Sequence, residues 1–302
     1  QLELIYQFLQ NQSNSNFNLK VLTLYQLAAS AANAKQEAKF NRWLSELKTL
    51  VSLEQQPVGQ YLLKKLAQDW AYSQNDFATV FDIGQALLSM NVETVHGHQS
   101  VSSESELKLP THVRRDVINT LGRAYYRTGD YIKAQQSFID TLKVSESMDD
   151  KQGMSHALNN LSVIAWSQND IEKALEYLDK GLQISIELGD VKSIISKWSN
   201  KGIYHNRLEE FDKAEKAFES ALNHPNIDEY PKLKSNSLLA LSELNSQKKN
   251  YSLSKSLAQQ ALQISLDMDD QYSINSAKMV VAGLANKLQE FKEAEQLYLA
   301  AL

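Results

Sequence analysis

The sequence predicts an all-α fold, a right-handed α-α superhelix of about seven helix pairs stacked as a solenoid. Three observations carry that prediction. The first is an interval: the bulky residue after each turn falls at Tyr131, Ile171, Phe211, Tyr251 and Phe291, each 40 positions after the last. The second is that other positions keep the same beat. A small residue recurs at Gly122, Ser162, Gly202, Ser242 and Ala282, another at Ala134, Ala174, Ala214, Ser254 and Ala294, and leucine closes each unit at Leu142, Leu182, Leu222, Leu262 and Leu302. The third is apolar spacing of three and four, as in Leu158, Leu161 and Ala165 and then Ala174, Leu175, Leu178 and Leu182, which is the period of a helix with one buried face.

Taken in order, residues 1–10 read as a short capping helix with Leu2, Ile5, Phe8 and Leu9 on one side, followed by a polar loop over 11–16. Residues 20–32 and 35–53 form a degenerate helix pair with Ala38 expected at its small position. Pro57 and Gly59 interrupt, and a second worn pair spans 61–72 and 77–90, where Asn75-Asp76-Phe77 echoes Asn169-Asp170-Ile171. The interval from Phe77 to Tyr131 is 54, so residues 91–110 hold an insert, read as a loop. His96 and His98 within it could face a metal together, but no third ligand is defined and a tolerated surface insertion is the simpler reading. Five regular units occupy 111–302, so residues 1–110 are the degenerate repeats of one continuous solenoid. Polar turns separate the helices of a pair, with Gly129 suited to a left-handed helix end. Met148-Asp149-Asp150, Leu188-Gly189-Asp190 and Met268-Asp269-Asp270 read as helix ends followed by N-caps. The small residues let backbones approach to about 8 Å where paired helices cross.

This pattern resembles the tetratricopeptide repeat family, in the longer-period variant found in kinesin light chains and many bacterial regulators. The resemblance rests on Leu121, Gly122, Tyr125, Ala134 and Phe138 in one unit and on Trp198, Gly202, Ala214, Phe218 and Ala221 in another. Lys201, Asn245 and Lys278 depart from it at usually apolar or aromatic positions, and the terminal proline is present only approximately, as Pro225. The family places the face of each first helix that turns away from its partner along a concave groove. By that resemblance, Asn159-Asn160 corresponds to asparagines that hold peptide main chain.

Composition limits the chemistry. The net charge is −5 with no basic domain, so no nucleic-acid contact is expected from this segment. Cysteine is absent, which leaves neither disulfides nor thiolate metal sites and suits cytoplasm or periplasm alike. No apolar run is long enough to span a membrane, although both ends look cut and a longer parent would have room for an anchor or an output domain. There is no phosphate loop, no zinc-binding His-Glu-x-x-His and no nucleophile elbow, so no enzyme, cofactor or metal is expected.

The remaining signal is the open face of the first helices. It carries Asn119, Thr120, Arg123, Tyr126 and Arg127 in one unit, His156, Asn159, Asn160, Val163 and Trp166 in the next, then Ser196, Ser199, Asn200, Ile203, Asn206 and Arg207, and then Asn236, Glu243 and Gln247. Carboxamides both donate to and accept from an extended backbone. Arg123 and Arg127 share a helix face, and Arg207 repeats the position of Arg127 two units on. The groove expected from Asn119, Arg123, Tyr126, Arg127, Asn159, Asn160, Trp166, Asn200 and Arg207 therefore takes a protein or an extended acidic peptide. The expected use is the sensory or interaction segment of a larger bacterial signalling protein; a free-standing adaptor that assembles a complex is the alternative.

Overall fold

The computed structural model describes residues 17–54, 57–89, 91–92, 107–108 and 111–301. The expected capping helix over 1–10 and the histidines 96 and 98 lie outside them. Contacts divide the chain into two compact units, Gln1–Asp150 and Lys151–Leu302. Both are all-α, and each is a stack of antiparallel helix hairpins.

In the first unit α1 (Phe17–Asn33) pairs with α2 (Glu37–Glu54), α3 (Pro57–Ser73) with α4 (Phe77–Ser89), and α5 (Thr111–Arg127) with α6 (Tyr131–Ser147). Between α4 and α5 two short strands, β1 (Asn91–Val92) and β2 (Leu107–Lys108), pair antiparallel, Asn91 opposite Lys108 and Val92 opposite Leu107. Pro57 and Gly59 do not interrupt the chain here: they lie in the first turn of α3, where a missing proline N–H costs nothing. The second unit holds α7 (Lys151–Ser167) with α8 (Ile171–Leu188), α9 (Val191–Arg207) with α10 (Phe211–Leu222), α11 (Pro231–Gln247) with α12 (Tyr251–Asp267), and α13 (Gln271–Lys287) with α14 (Phe291–Leu299). Where the connection carries Pro225 and Pro231, α10 has only 12 residues and a 3-10 turn (Ile227–Glu229) precedes α11. Among the described residues no helix is long and apolar enough to cross a membrane.

One turn recurs within every pair. The second residue past the first helix is left-handed, at Lys35, Asn75, Gly129, Asn169, Glu209, Lys249 and Gln289. The next N–H then reaches back to a carbonyl in the last helical turn, as from Asp76 to Ala71, Asp130 to Tyr125, Asp170 to Ala165 and Asn250 to Asn245, at 2.8–2.9 Å. This arrangement satisfies carbonyls that a helix end would otherwise leave open. Asp130 and Asp170 then cap the second helix, accepting the N–H of Lys133 and Lys173. The echo read at Asn75 is therefore the same turn, and it also sets the register of the first pair. There Phe40, not Ala38, stands where Ala134 stands later. Phe40 is buried and stacks on Trp70 at 4.4 Å, while Ala38 is exposed.

The small positions lie where paired helices cross. Ser242 and Ser254 exchange hydrogen bonds with each other's main chain at 2.7 Å, which marks the crossing in α11 and α12. The equivalent residues of α9 and α10 are Gly202 and Ala214. A Cβ on Gly202 would lie 2.5 Å from the Phe218 ring, and one on Gly122 would lie 2.8 Å from Phe138. The hairpin of α3 and α4 inverts this relation. Gln68 takes the glycine position, and Gly84 takes the phenylalanine position, with the Gln68 amide 2.6 Å from where a Gly84 Cβ would be. The larger side chain stands on the first helix here, and Leu121 closes the space beside Gly84 from α5, also 2.6 Å from where a Cβ would be.

Replacing Gly202 with leucine pushes a side chain into the Phe218 ring. Thermal melts are expected to show a loss of about 1–3 kcal/mol or more. An unchanged melting temperature would contradict the register.

Candidate binding site

The sequence-predicted groove residues divide between the two units. In the first unit α5 carries Asn119, Arg123, Tyr126 and Arg127. The Arg123 guanidinium lies 4.3 Å over the Tyr72 ring. Arg127 donates to Asn75 Oδ1 at 3.1 Å and sits 6.0 Å from the Phe77 ring. Both arginines thus brace the neighbouring hairpin with their planar faces while remaining exposed. Tyr126 is half-buried with its ring 5.7 Å from that of Tyr131. Thr120 is not on the open face: it is buried, its hydroxyl receiving a bond from Lys65 at 3.3 Å within a cluster where Lys65 also pairs with Asp69. Burial, reinforced by the charges of Asp69 and Asp116, pushes the nearby Tyr25 phenol well above its ordinary value.

In the second unit the four first helices α7, α9, α11 and α13 lie side by side. Trp166 stacks on Tyr204 at 4.8 Å, and Ser162 meets the same tyrosine hydroxyl at 3.4 Å, joining α7 to α9. Ser199 and Ser237 hydroxyls join α9 to α11 at 2.5 Å, and Lys287 bonds Ser246 at 2.8 Å, joining α11 to α13. The sequence places Trp166 on the open face of α7. It is half-buried there, because the stacked Tyr204 covers one face of the indole. Asn159, Asn160 and Asn200 are half-exposed, and Ile203 and Arg207 are exposed. These five residues, with Glu243, Gln247 and Met279 further along the row, make a surface with polar groups around two apolar ones.

The residues that departed from the repeat pattern each find a partner. Lys201 reaches Asp179 at 2.6 Å, Asn245 donates to the Leu241 carbonyl at 2.9 Å, and Lys278 donates to the Ala300 carbonyl at 2.8 Å. On the side of α9 away from the row, Lys201, Trp198 and His205 line an open cavity of about 420 Å³. Sequence reasoning did not join these residues to α8 and α10.

A second feature the sequence did not reveal is Lys197. It is only 2 % exposed, at a position held by valine, alanine or serine in other units. Its ammonium donates to Ser155 Oγ at 3.0 Å, and Ser155 also meets Ser185 at 2.8 Å. Gly181 makes the room, since a Cβ there would lie 2.9 Å from Lys197 Cε. The serine pair is structural, because Ser235 and Ser265 repeat it 80 residues later with no lysine present. Burial pushes the Lys197 amine down to about 8, with the Asp190 charge opposing.

The residues around 115–187 match the family description "Tetratricopeptide repeat". No curated protein matches the sequence. Among solved structures, a Rap protein complexed with competence and sporulation factor aligns with 93 % of this chain and 75 % of its own, at TM-score 0.68 and 11 % identity. NprR in complex with its cognate peptide NprX covers 94 % of this chain and 78 % of its own at TM-score 0.60 and 13 % identity. BtubC (BKLC) from P. vanneervenii covers 82 % and 92 % at TM-score 0.56 and 18 % identity. At these identities the likeness is one of fold.

The lowered Lys197 value has a consequence for stability. The folded state releases the proton near pH 8 and the unfolded chain near 10.5, so the unfolded state binds more protons between them and stability rises with pH across that window. Below it the buried ammonium costs its full amount. Lys197→Met is therefore expected to stabilise the protein at pH 7 by about 1–3 kcal/mol, with the gain over wild type shrinking towards pH 10.5. Melts of both proteins across that range decide it, and a variant that melts lower at pH 7 contradicts it.

Proposed function

We propose that the chain, whose residues 115–187 match the tetratricopeptide repeat family, is a peptide-binding scaffold whose site is the open face of the first-helix row in the second unit. The observation that carries this reading is the continuity of the row: α7, α9, α11 and α13 are held side by side by contacts between first helices, so their outward faces form one surface. Neighbouring helices about 10 Å apart match about three residues of extended chain at ~3.3 Å each. Asn159, Asn160 and Asn200 offer carboxamides at that spacing, each able to donate to a peptide C=O and accept from its N–H. Ile203 supplies an apolar contact and Arg207 a cation for an acidic side chain or a carboxy-terminus. The first unit contributes a comparable face through Asn119, Arg123, Tyr126 and Arg127, with its arginines already propped by Tyr72 and Asn75.

Of the two uses that fit such a scaffold, sensing within a bacterial signalling protein is favoured over adaptor assembly. Two proteins sharing the fold, the Rap protein and NprR, were solved with competence and sporulation factor and with the cognate peptide NprX.

Selection from an extended-peptide library is expected to yield acidic sequences. Asn200→Ala combined with Arg207→Glu should weaken the selected peptide by about tenfold or more, since each lost polar contact is worth about 1 kcal/mol. Added salt should weaken it too, and thermal stability should barely change, because Arg207 is exposed and Asn200 only partly buried. Unchanged affinity in the double variant, or protection from hydrogen exchange confined to α8, α10 and α12, contradicts the site.

A further inference from the structure

The cavity on the other side of α9 owes its existence to two replacements in the repeat. In neighbouring units the Lys201 position is Leu161, Leu241 and Val281, each packed into the core. The Ala217 position is Tyr177, Leu257 and Leu297. Between α8, α9 and α10 the aliphatic side chain has become a lysine that swings out to Asp179, and the bulky one has become alanine. What remains is a space of about 420 Å³ with Trp198, Leu175 and Ala217 as its apolar walls. That is within the range of about 300–1,000 Å³ common for small-molecule sites, in which a few polar groups fix an apolar ligand's orientation.

Its charge is one-sided. Lys201, Lys213, Lys216 and His205 line it with a single carboxylate, Asp179. Asp179 is taken by Lys201 at 2.6 Å, whose ammonium also lies 5.4 Å from the Trp198 ring. Lys213 and His205 both hold Glu210, at 2.7 and 2.6 Å, and their bonds keep its carboxyl below the ordinary range. Lys216 has no such carboxylate among the described residues, and its exposed side chain rises at the rim of the cavity. One uncommitted cation thus stands over an aromatic and aliphatic hollow.

We propose that this cavity binds a small aromatic carboxylate, its ring against Trp198, Leu175 and Ala217 and its carboxylate on Lys216. A ring is preferred to a flexible chain because it covers the indole with little loss of rotamer freedom. A single negative charge matches the single unpaired ammonium. Helical periodicity puts Trp198, Lys201 and His205 on the face of α9 opposite Asn200, Ile203 and Arg207, so this site is separate from the peptide surface and does not rest on it.

Isothermal titration of the whole chain tests the proposal with indole-3-acetate and phenylacetate, their neutral amides and inorganic phosphate as probes. The acids are expected to bind about tenfold more tightly than the amides, the value of one charge-assisted contact of about 1.4 kcal/mol. Lys216→Gln, a change on an exposed side chain that leaves folding intact, should bring acid affinity down to that of the amide, and Lys216→Arg should restore it. Ala217→Leu, which places the side chain of Leu257 and Leu297 in the cavity, should abolish binding. The proposal is overturned if acid and amide bind alike, if no probe binds, if inorganic phosphate competes as well as the acids, or if Lys216→Gln binds the acid at full strength.

Discussion

The structure depends on the close crossing of paired helices, where a side chain on one helix fits only because its counterpart is missing from the other. Phe218 fills the gap over Gly202 and Phe138 the gap over Gly122. Serines at the equivalent crossing in α11 and α12 bond across it to main chain. Where the pairing is reversed, at Gln68 and Gly84, the hairpin still closes. What the hairpins of Gly202, Gly122 and Gly84 share is a gap left by glycine on one helix and filled by a side chain from a neighbouring one. The inverted pair exacts a cost in polarity, because Gln68 Oε1 is buried with no hydrogen-bond partner.

The turn works with the crossing. A left-handed residue after each first helix aims the chain back so that the crossing forms, and it appears with the same bond pattern whether the residue is Gly129, Asn169 or Glu209. A non-glycine residue in that conformation costs about 1 kcal/mol, so the geometry is imposed by the packed hairpin. The outward face of each first helix is left over as a by-product. Second helices cover one side of each first helix, and the other side is free to carry carboxamides, arginines and a few apolar side chains.

Much of this was legible in the sequence because a fixed period repeats the same physical constraint. The beat of 40 located the regular hairpins, and Asn75-Asp76 located a worn one. The small positions located the crossings. Ala38 misled because smallness alone was the guide: without the left-handed Lys35 as a marker, nothing in the residue types said that Phe40 holds the position. The partial burial of Trp166 and Tyr126 was not legible because each aromatic partner lies on another helix, outside the reach of a single helix's periodicity. Lys201 was visible as a departure, yet its meaning needed Ala217 and Lys216 on a neighbouring helix. Lys197 gave no signal at all, since a lysine at an apolar position is readable only beside the glycine that makes room for it.

If the gap over Gly202 is what admits Phe218, then the two positions must be coupled. A double-mutant cycle with Gly202→Ala and Phe218→Leu measures this, leucine being the side chain that already stands opposite Ser162, at Leu178. Alanine at 202 should destabilise the wild-type protein, and much of that cost should disappear in the leucine background, giving a coupling of about 1 kcal/mol or more. Strictly additive losses would contradict the account, because they would mean that the two positions do not share the space between α9 and α10.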